Sequence, residues 1–283
     1  MKKIGFIDYY IDEWHANNYP TFIRESCFKD KFEVALAWEE TTPEGTMGID
    51  RWCREQGVGK APSIEEVVEK CDCIVVLSPD NPERHEDLAD LPLRSGKPVY
   101  IDKPIAPSAA AAERLFEKAE KYGTPMMSSS ALRFGFALET ALRDTIARNP
   151  VRFVATRGEG DFYTYAIHQI EMLVMVVGTG AKRVMQCGNE QSKLMVIDYA
   201  DGRRGSVNLI PNHPFQLSAQ FDDDQALVIN AMDDFFPRFI EAMLRFFDTG
   251  VSCIPREQTL EVARLVEAGI IALESPDSWV PVP

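Results

Sequence analysis

The sequence predicts an α/β protein in two parts, a doubly wound parallel sheet followed by a region with an antiparallel or mixed sheet. Three observations carry this. Strand-like and helix-like segments alternate through the first 128 residues at the spacing of βαβ units. The run Cys73-Ile74-Val75-Val76-Leu77 is apolar without interruption, as suits a strand covered on both faces. Beyond residue 128 the pattern changes to several strand-like runs, two of them joined by the hairpin signal Asp201-Gly202. The division expected is residues 1–128 and 129–283.

In order, Ile4–Ile7 is a first strand and about Trp14–Ser26 a helix. Phe32–Ala37 is a second strand. Ser63 with Glu66 three residues on forms a capping box that opens a short helix. Cys73–Leu77 ends in Ser78-Pro79. A helix is expected over about Glu83–Arg94, stopped by Gly96. Pro98–Ile101 is the next strand, and it delivers the chain to Asp102-Lys103-Pro104. Ser108 caps an alanine-rich helix that Gly123 closes. In the second part, Phe134–Arg148 reads as a helix and Val151–Arg157 as a strand. Phe162, Ala166, Ile170, Leu173 and Val177 mark a helix by their i, i+4 spacing, closed by Gly178. Strands follow at Arg183–Gly188, Lys193–Tyr199, Gly205–Ile210 and Phe215–Phe221. Helices at about Asp233–Asp248 and Glu257–Glu274 come next, and a proline-rich tail, Pro276–Pro283, reads as extended.

With 44 acidic against 30 basic residues, the formal net charge of −14 disfavours nucleic acid and anionic membrane surfaces as partners. Six cysteines without a C-x-x-C pair read as reduced thiols, and their spacing suggests no structural zinc. The apolar run after Met1-Lys2-Lys3 stops at Asp8, too short for a signal-peptide core, and no stretch approaches a membrane span. The expectation is a cytoplasmic protein that handles a small molecule.

In doubly wound sheets ligands bind at the carboxyl ends of the strands. Ser78-Pro79 and Asp102-Lys103 both lie there. Lys103 is the first candidate: in a half-buried cleft a lysine loses hydration and can exchange a proton with a substrate hydroxyl. By position alone it also reads as a surface lysine in a turn. His168, beside the apolar stripe of its helix, is the second candidate. By position alone it reads equally as a core histidine.

From Cys73 through His85 and Gly96 to Asp102-Lys103-Pro104, the chain resembles the Gfo/Idh/MocA oxidoreductases, the family of glucose–fructose oxidoreductase and inositol dehydrogenase. Asp102 stands where that family has Glu. Downstream, Met126–Phe134 is similar to the family's strand leading to Arg-Phe, here Arg133-Phe134. His168-Gln169-Ile170-Glu171 is similar to its His-x-Ile-Asp. The resemblance implies a Rossmann domain and a C-terminal α/β domain whose open, mainly antiparallel sheet forms a substrate face and a homodimer or higher homo-oligomer interface. It implies NAD or NADP bound near Asp8, Tyr9, Glu39, Ser78, Pro79, Asp102 and Lys103. It also implies Lys103 and His168 as the proton-handling pair, with Arg133, Thr164 and Tyr165 near the substrate.

The first strand–helix turn departs from the family. A G-x-G-x-x-G turn lets backbone N–H groups approach a pyrophosphate at the helix N-terminus. Here the turn reads Asp8-Tyr9-Tyr10-Ile11-Asp12-Glu13, with Asp8, Tyr10 and Glu13 at the glycine positions. Thr164 stands where the family often has Asp. Glu39 or Glu40 could bond ribose hydroxyls, or form a solvated acidic turn. The function expected is a dehydrogenase acting on a sugar, polyol or related hydroxy compound. The alternative is the same fold without dinucleotide, as a sugar-type isomerase, lyase or non-catalytic binder. A metal held by Asp8, Asp12, Glu13 and His15 is disfavoured, because adjacent helical side chains such as Asp12 and Glu13 do not converge.

Overall fold

A computed structural model describes residues 1–283. The chain forms two compact units. The first comprises Met1–Ser129 and Ile240–Ile254, the second Ser130–Phe239 and Pro255–Pro283.

The first unit holds β1 (Lys2–Asp8), α1 (Trp14–Glu25), β2 (Phe32–Glu39), α2 (Ile49–Gln56), β3 (Gly59–Lys60), α3 (Ile64–Lys70) and β4 (Cys73–Val76). Short helices α4 (His85–Leu88) and α5 (Asp90–Arg94), β5 (Val99–Ile101), α6 (Ala109–Tyr122) and β6 (Met126–Met127) complete it. The six strands are parallel in the order β3-β2-β1-β4-β5-β6. The order reverses between β1 and β4, the switch point at which this kind of sheet leaves a crevice for ligand. All four residues of β4 are buried, as its apolar run requires.

Local chemistry sets the helix ends. Ser63 Oγ accepts from the Glu66 N–H, and Ser108 Oγ from the Ala111 N–H. Lys97 Nζ donates to the carbonyls of Val68, Glu69 and Cys71, the loose C-terminal end of α3. The helix expected over Glu83–Arg94 is broken into three short pieces, the first a 3-10 turn at Pro82–Arg84. Pro92 lacks the N–H that a continuous helix would need there.

The second unit contains α7 (Phe136–Asp144), β7 (Val151–Gly158), α8 (Phe162–Val177), β8 (Ala181–Gln186), β9 (Lys193–Tyr199), β10 (Arg204–Leu209), β11 (Gln216–Phe221) and β12 (Ala226–Ile229). Then come α9 (Phe235–Thr249), α10 (Arg256–Leu273) and β13 (Val280–Pro281). Its seven strands run β12-β11-β7-β10-β9-β8-β13, antiparallel except for the β7–β10 pair. The helix expected over Phe134–Arg148 is shorter, with 3-10 turns on either side. Residues of α8 and α10 pack on one face of the sheet, in a core with Val154, Met195, Ile197 and Val207.

One segment lies away from the side of the expected division. The later part of α9 packs with the first unit: Asp248 pairs with Lys2 at 3.4 Å and Lys31 at 2.5 Å, and Phe247 meets Phe32. The amphipathic pattern of α9 shows that it has an apolar face, not which sheet that face covers.

Gly269 in α10 lies against the side chains of Phe162 and Met195. A Cβ there would overlap the Phe162 ring and the Met195 sulfur. Gly269→Ala is therefore expected to cost about 1–3 kcal/mol, the usual penalty of overpacking a core, despite alanine's better helix propensity. Chemical denaturation checks it.

Candidate active site at the carboxyl edge of the parallel sheet

Asp8 ends β1 and is fully buried, and its carboxylate has no side-chain partner, only the backbone N–H groups of Tyr9 and Tyr10 nearby. Five residues later Glu13 is the N-cap of α1. Its carboxylate accepts from the N–H of His15 at 2.6 Å and from the N–H of Ala16. The chain then turns His15 towards Asp102, which follows β5. Nδ1 of the ring lies 2.6 Å from Asp102 Oδ2, and Tyr19 stacks on the ring at 5.1 Å. The other Asp102 oxygen accepts from the Lys103 N–H at 2.8 Å and from the Tyr100 hydroxyl at 3.3 Å. Asp102 thus fixes the backbone from which the half-buried Lys103 side chain departs, ahead of a cis Lys103–Pro104 bond.

The four groups respond differently to one another. Burial raises the Asp8 pKa well above the ordinary carboxylate value, and Glu13 and Asp102 add to this. Burial pushes Glu13 up to about 7, against the pull of His15. Burial also raises Asp102, but His15 and Lys103 prevail and bring it to about 2. For His15, burial works downward and the Asp102 contact outweighs it, leaving the ring raised. Asp102 and His15 therefore form an ion pair, while Asp8 is driven towards its neutral form.

The remaining first-unit candidates are held by their own surroundings. Ser78 is buried with φ of 78°, and its hydroxyl donates to the Asn81 carbonyl at 3.2 Å. Pro79 beside it is half-buried. His85, fully buried, spans the carbonyls of Leu77 at 2.7 Å and Ile105 at 3.0 Å, and so straps the loop after β4 to the loop after β5. Tyr9 lies under the Arg84 guanidinium. Glu39 differs from the expected ribose acceptor: it takes the N–H groups of Ile11 and Ile49 and the Thr42 hydroxyl, at 3.0, 2.9 and 2.6 Å. Glu40 pairs with Arg84 at 2.7 Å.

In the second unit, His168 on α8 is half-buried, with Nδ1 2.6 Å from Ser130 Oγ and the Tyr165 ring alongside at 5.6 Å. Arg133 differs from the expected substrate contact. Its guanidinium is buried, 2.6 Å from Glu171, and donates to Gln258 at 2.6 Å. Such a pair is costly to break from one side, which makes it a strut between α8 and α10. Thr164 donates its hydroxyl to Asp161, the N-cap of α8. It completes the cap instead of presenting a free hydroxyl.

The N-terminus of α1 is where this fold holds the pyrophosphate. Here Glu13 takes two of its N–H groups, and Glu39 is committed to the turn. As they stand, these residues do not fit the phosphate and ribose of the cofactor. Asp12 points elsewhere, bonding Asn17 at 3.0 Å and the Met47 N–H at 2.7 Å. No three His, Cys, Asp or Glu side chains are grouped to hold a metal ion, and no helix is long and apolar enough to cross a membrane.

Fold and site define a two-unit protein with a dinucleotide-binding type of parallel sheet whose phosphate turn has been rebuilt. Residues 24–129 match the model of the Gfo/Idh/MocA family, described as an oxidoreductase family with an NAD-binding Rossmann fold. The match begins after β1 and the rebuilt turn. Among solved structures, the dehydrogenase MviM from Clostridium difficile aligns with a TM-score of 0.74 at 15% identity, over 96% of this chain and 99% of that one. UDP-N-acetylglucosamine 3-dehydrogenase GnnA from Acidithiobacillus ferrooxidans gives 0.73 at 11%, over 95% and 97%. GenD2 from gentamicin A biosynthesis, solved in complex with NAD, gives 0.75 at 12%, over 100% and 96%. No curated protein matches.

The site makes stability depend on pH in a defined direction. Asp8, Glu13 and His15 bind protons more tightly folded than unfolded, so each contributes stability that is present at low pH and lost as pH rises. For Glu13 the window runs from its ordinary 4.5 to about 7. Asp102 has the opposite sign: its contribution is present above 3.8 and lost as pH falls through about 2. The melting temperature is expected to fall by several degrees between pH 5 and pH 8. Asp8→Asn should flatten that slope, and scanning calorimetry across the range checks both.

Proposed function

We propose that the protein is a nicotinamide-linked oxidoreductase acting on a sugar, polyol or related small hydroxy compound. The observation that carries this reading is the Asp102-Lys103-Pro104 turn, kept inside the family match and placed at the ligand edge of the sheet with Lys103 half-buried. Lys103 is read as a proton-handling group for a substrate hydroxyl. His168 is read as the second, its ring oriented by Ser130. Tyr165, 42% exposed beside His168, is read as a substrate contact. Two structural relatives, UDP-N-acetylglucosamine 3-dehydrogenase GnnA and GenD2 from gentamicin A biosynthesis, support a sugar-type substrate. NAD or NADP is the cofactor that this reading calls for, and Glu13 must then give way to it.

A second reading keeps the fold and drops the dinucleotide, as an isomerase, a lyase or a ligand-binding protein. The engagement of both Glu13 and Glu39 within the turn favours it. Calorimetry with NAD, NADH, NADP and NADPH decides between the two, since absence of heat with all four leaves only the second. Under the first reading, Lys103→Ala and His168→Ala should each lower turnover about 10²–10⁴-fold. Nicotinamide absorbance against a panel of sugars and polyols measures it.

The partner proposed for the second unit is another copy of the chain. On the sheet face away from α8 and α10, Phe153, Met185, Leu194 and Val196 alternate with core residues, without packing against the core. A dimer by light scattering, converted to monomer by Val196→Asp, is the expected result.

A further inference from the structure

We propose that Glu13 is an internal occupant of the anion seat at the N-terminus of α1, and that a nicotinamide dinucleotide binds this protein only by displacing it. The proposal rests on the nicotinamide-linked reading given above and adds how that same site is controlled.

The geometry supplies the occupant. The first-turn N–H groups of His15 and Ala16 are the donors this fold offers to a phosphate, and one carboxylate takes both. Glutamate is not among the preferred N-cap residues, since the shorter Asp, Asn, Ser and Thr reach the first turn more readily. Its presence here gives the helix a negative group of its own, and a bound phosphate would contact the same N–H groups.

A second observation is independent of the cap. Asp8 lies fully buried beside Glu13 with no side-chain partner for its carboxylate, which only the backbone N–H groups of Tyr9 and Tyr10 approach. Buried polar groups are nearly always bonded, so a carboxyl without a side-chain partner marks a place that can take another donor. A hydroxyl of a bound ligand is such a donor. The seat is thus closed at its phosphate end and under-satisfied beside it.

The charges show why Glu13 is the residue that matters. The Asp102 charge is matched by His15 at 2.6 Å. Asp8 is driven towards neutrality by burial. Lys103 adds a positive charge close to Asp102. Tyr19 and Tyr100 contribute hydroxyls and no charge at neutral pH. Glu13 has only a longer contact to the same His15, at 3.7 Å, and its carboxylate stands where an anion would sit. A site that is open only part of the time lowers apparent affinity by the open fraction, so removing the occupant raises it.

The test measures dinucleotide affinity, not turnover. NADH and NADPH are titrated calorimetrically into the wild-type protein, Glu13→Ala, Glu13→Gln and Asp12→Asn at pH 7.5, with melting curves to establish that each is folded. Asp12→Asn removes the same charge from the same turn without opening the seat. We expect Glu13→Ala to bind at least about tenfold more tightly than wild type, with Glu13→Gln between them and Asp12→Asn within about twofold of wild type. Should Glu13→Ala not fold, Glu13→Gln must still bind several-fold more tightly than wild type. Equal affinity in wild type and Glu13 variants overturns the proposal and leaves the nicotinamide reading standing. Equal tightening by Asp12→Asn also overturns it, because general charge then explains the gain. Absence of binding in all four proteins overturns the proposal and the nicotinamide reading together.

Discussion

Three carboxylates, Asp8, Glu13 and Asp102, meet where β1 and β5 end, and the first unit must keep them from repelling one another in a place that excludes water. Each is handled by different means. Asp102 gains a cation from His15, Glu13 is bonded by the start of a helix, and Asp8 is left to hold its proton. The arrangement depends on Asp102 above all. It bonds His15 and the Lys103 backbone with separate oxygens, so the turn at β1 and the turn at β5 are aligned by one side chain. The short Asp102 side chain keeps the carboxylate close to both.

The second unit solves the opposite problem, that of holding a half-exposed histidine in one orientation. Ser130 bonds the ring, and the neighbouring Arg133–Glu171–Gln258 set fixes the segment that carries Ser130. The charged groups nearest His168 in sequence pattern thus serve as framework for the segment beside it.

Much of the fold was legible because the controlling interactions are local. The bounds of α8 follow from apolar spacing and Gly178, and the ends of α3 and α6 from Ser63 and Ser108. Segments too short for a pattern escaped: β3 and β13 are two residues each, and α2 hides Trp52 and Cys53 among charged neighbours. The Asp102-Lys103-Pro104 turn at the carboxyl edge of the first sheet is legible from strand spacing, and so is the oddity of the 8–13 turn. The bonding of that turn is not, because His15 and Asp102 are brought together by sheet order, and no local sequence signal links them. Thr164, Glu39 and Arg133 each have protein partners in the structure. A polar residue near a site carries no sign in the sequence of which way its bonds are made.

The return of residues 240–254 to the first unit has a bearing on how the molecule is made. Phe246 and Phe247 are buried with it, and Phe247 meets Phe32 from the second strand. As the chain leaves the ribosome, the parallel sheet can form early, but one of its apolar faces stays uncovered until residues 240–254 have emerged. The unit that begins first is therefore completed late, and a fragment ending near residue 129 would present that face to solvent. Neither unit is a cassette that can be cut from the chain or moved as a single stretch.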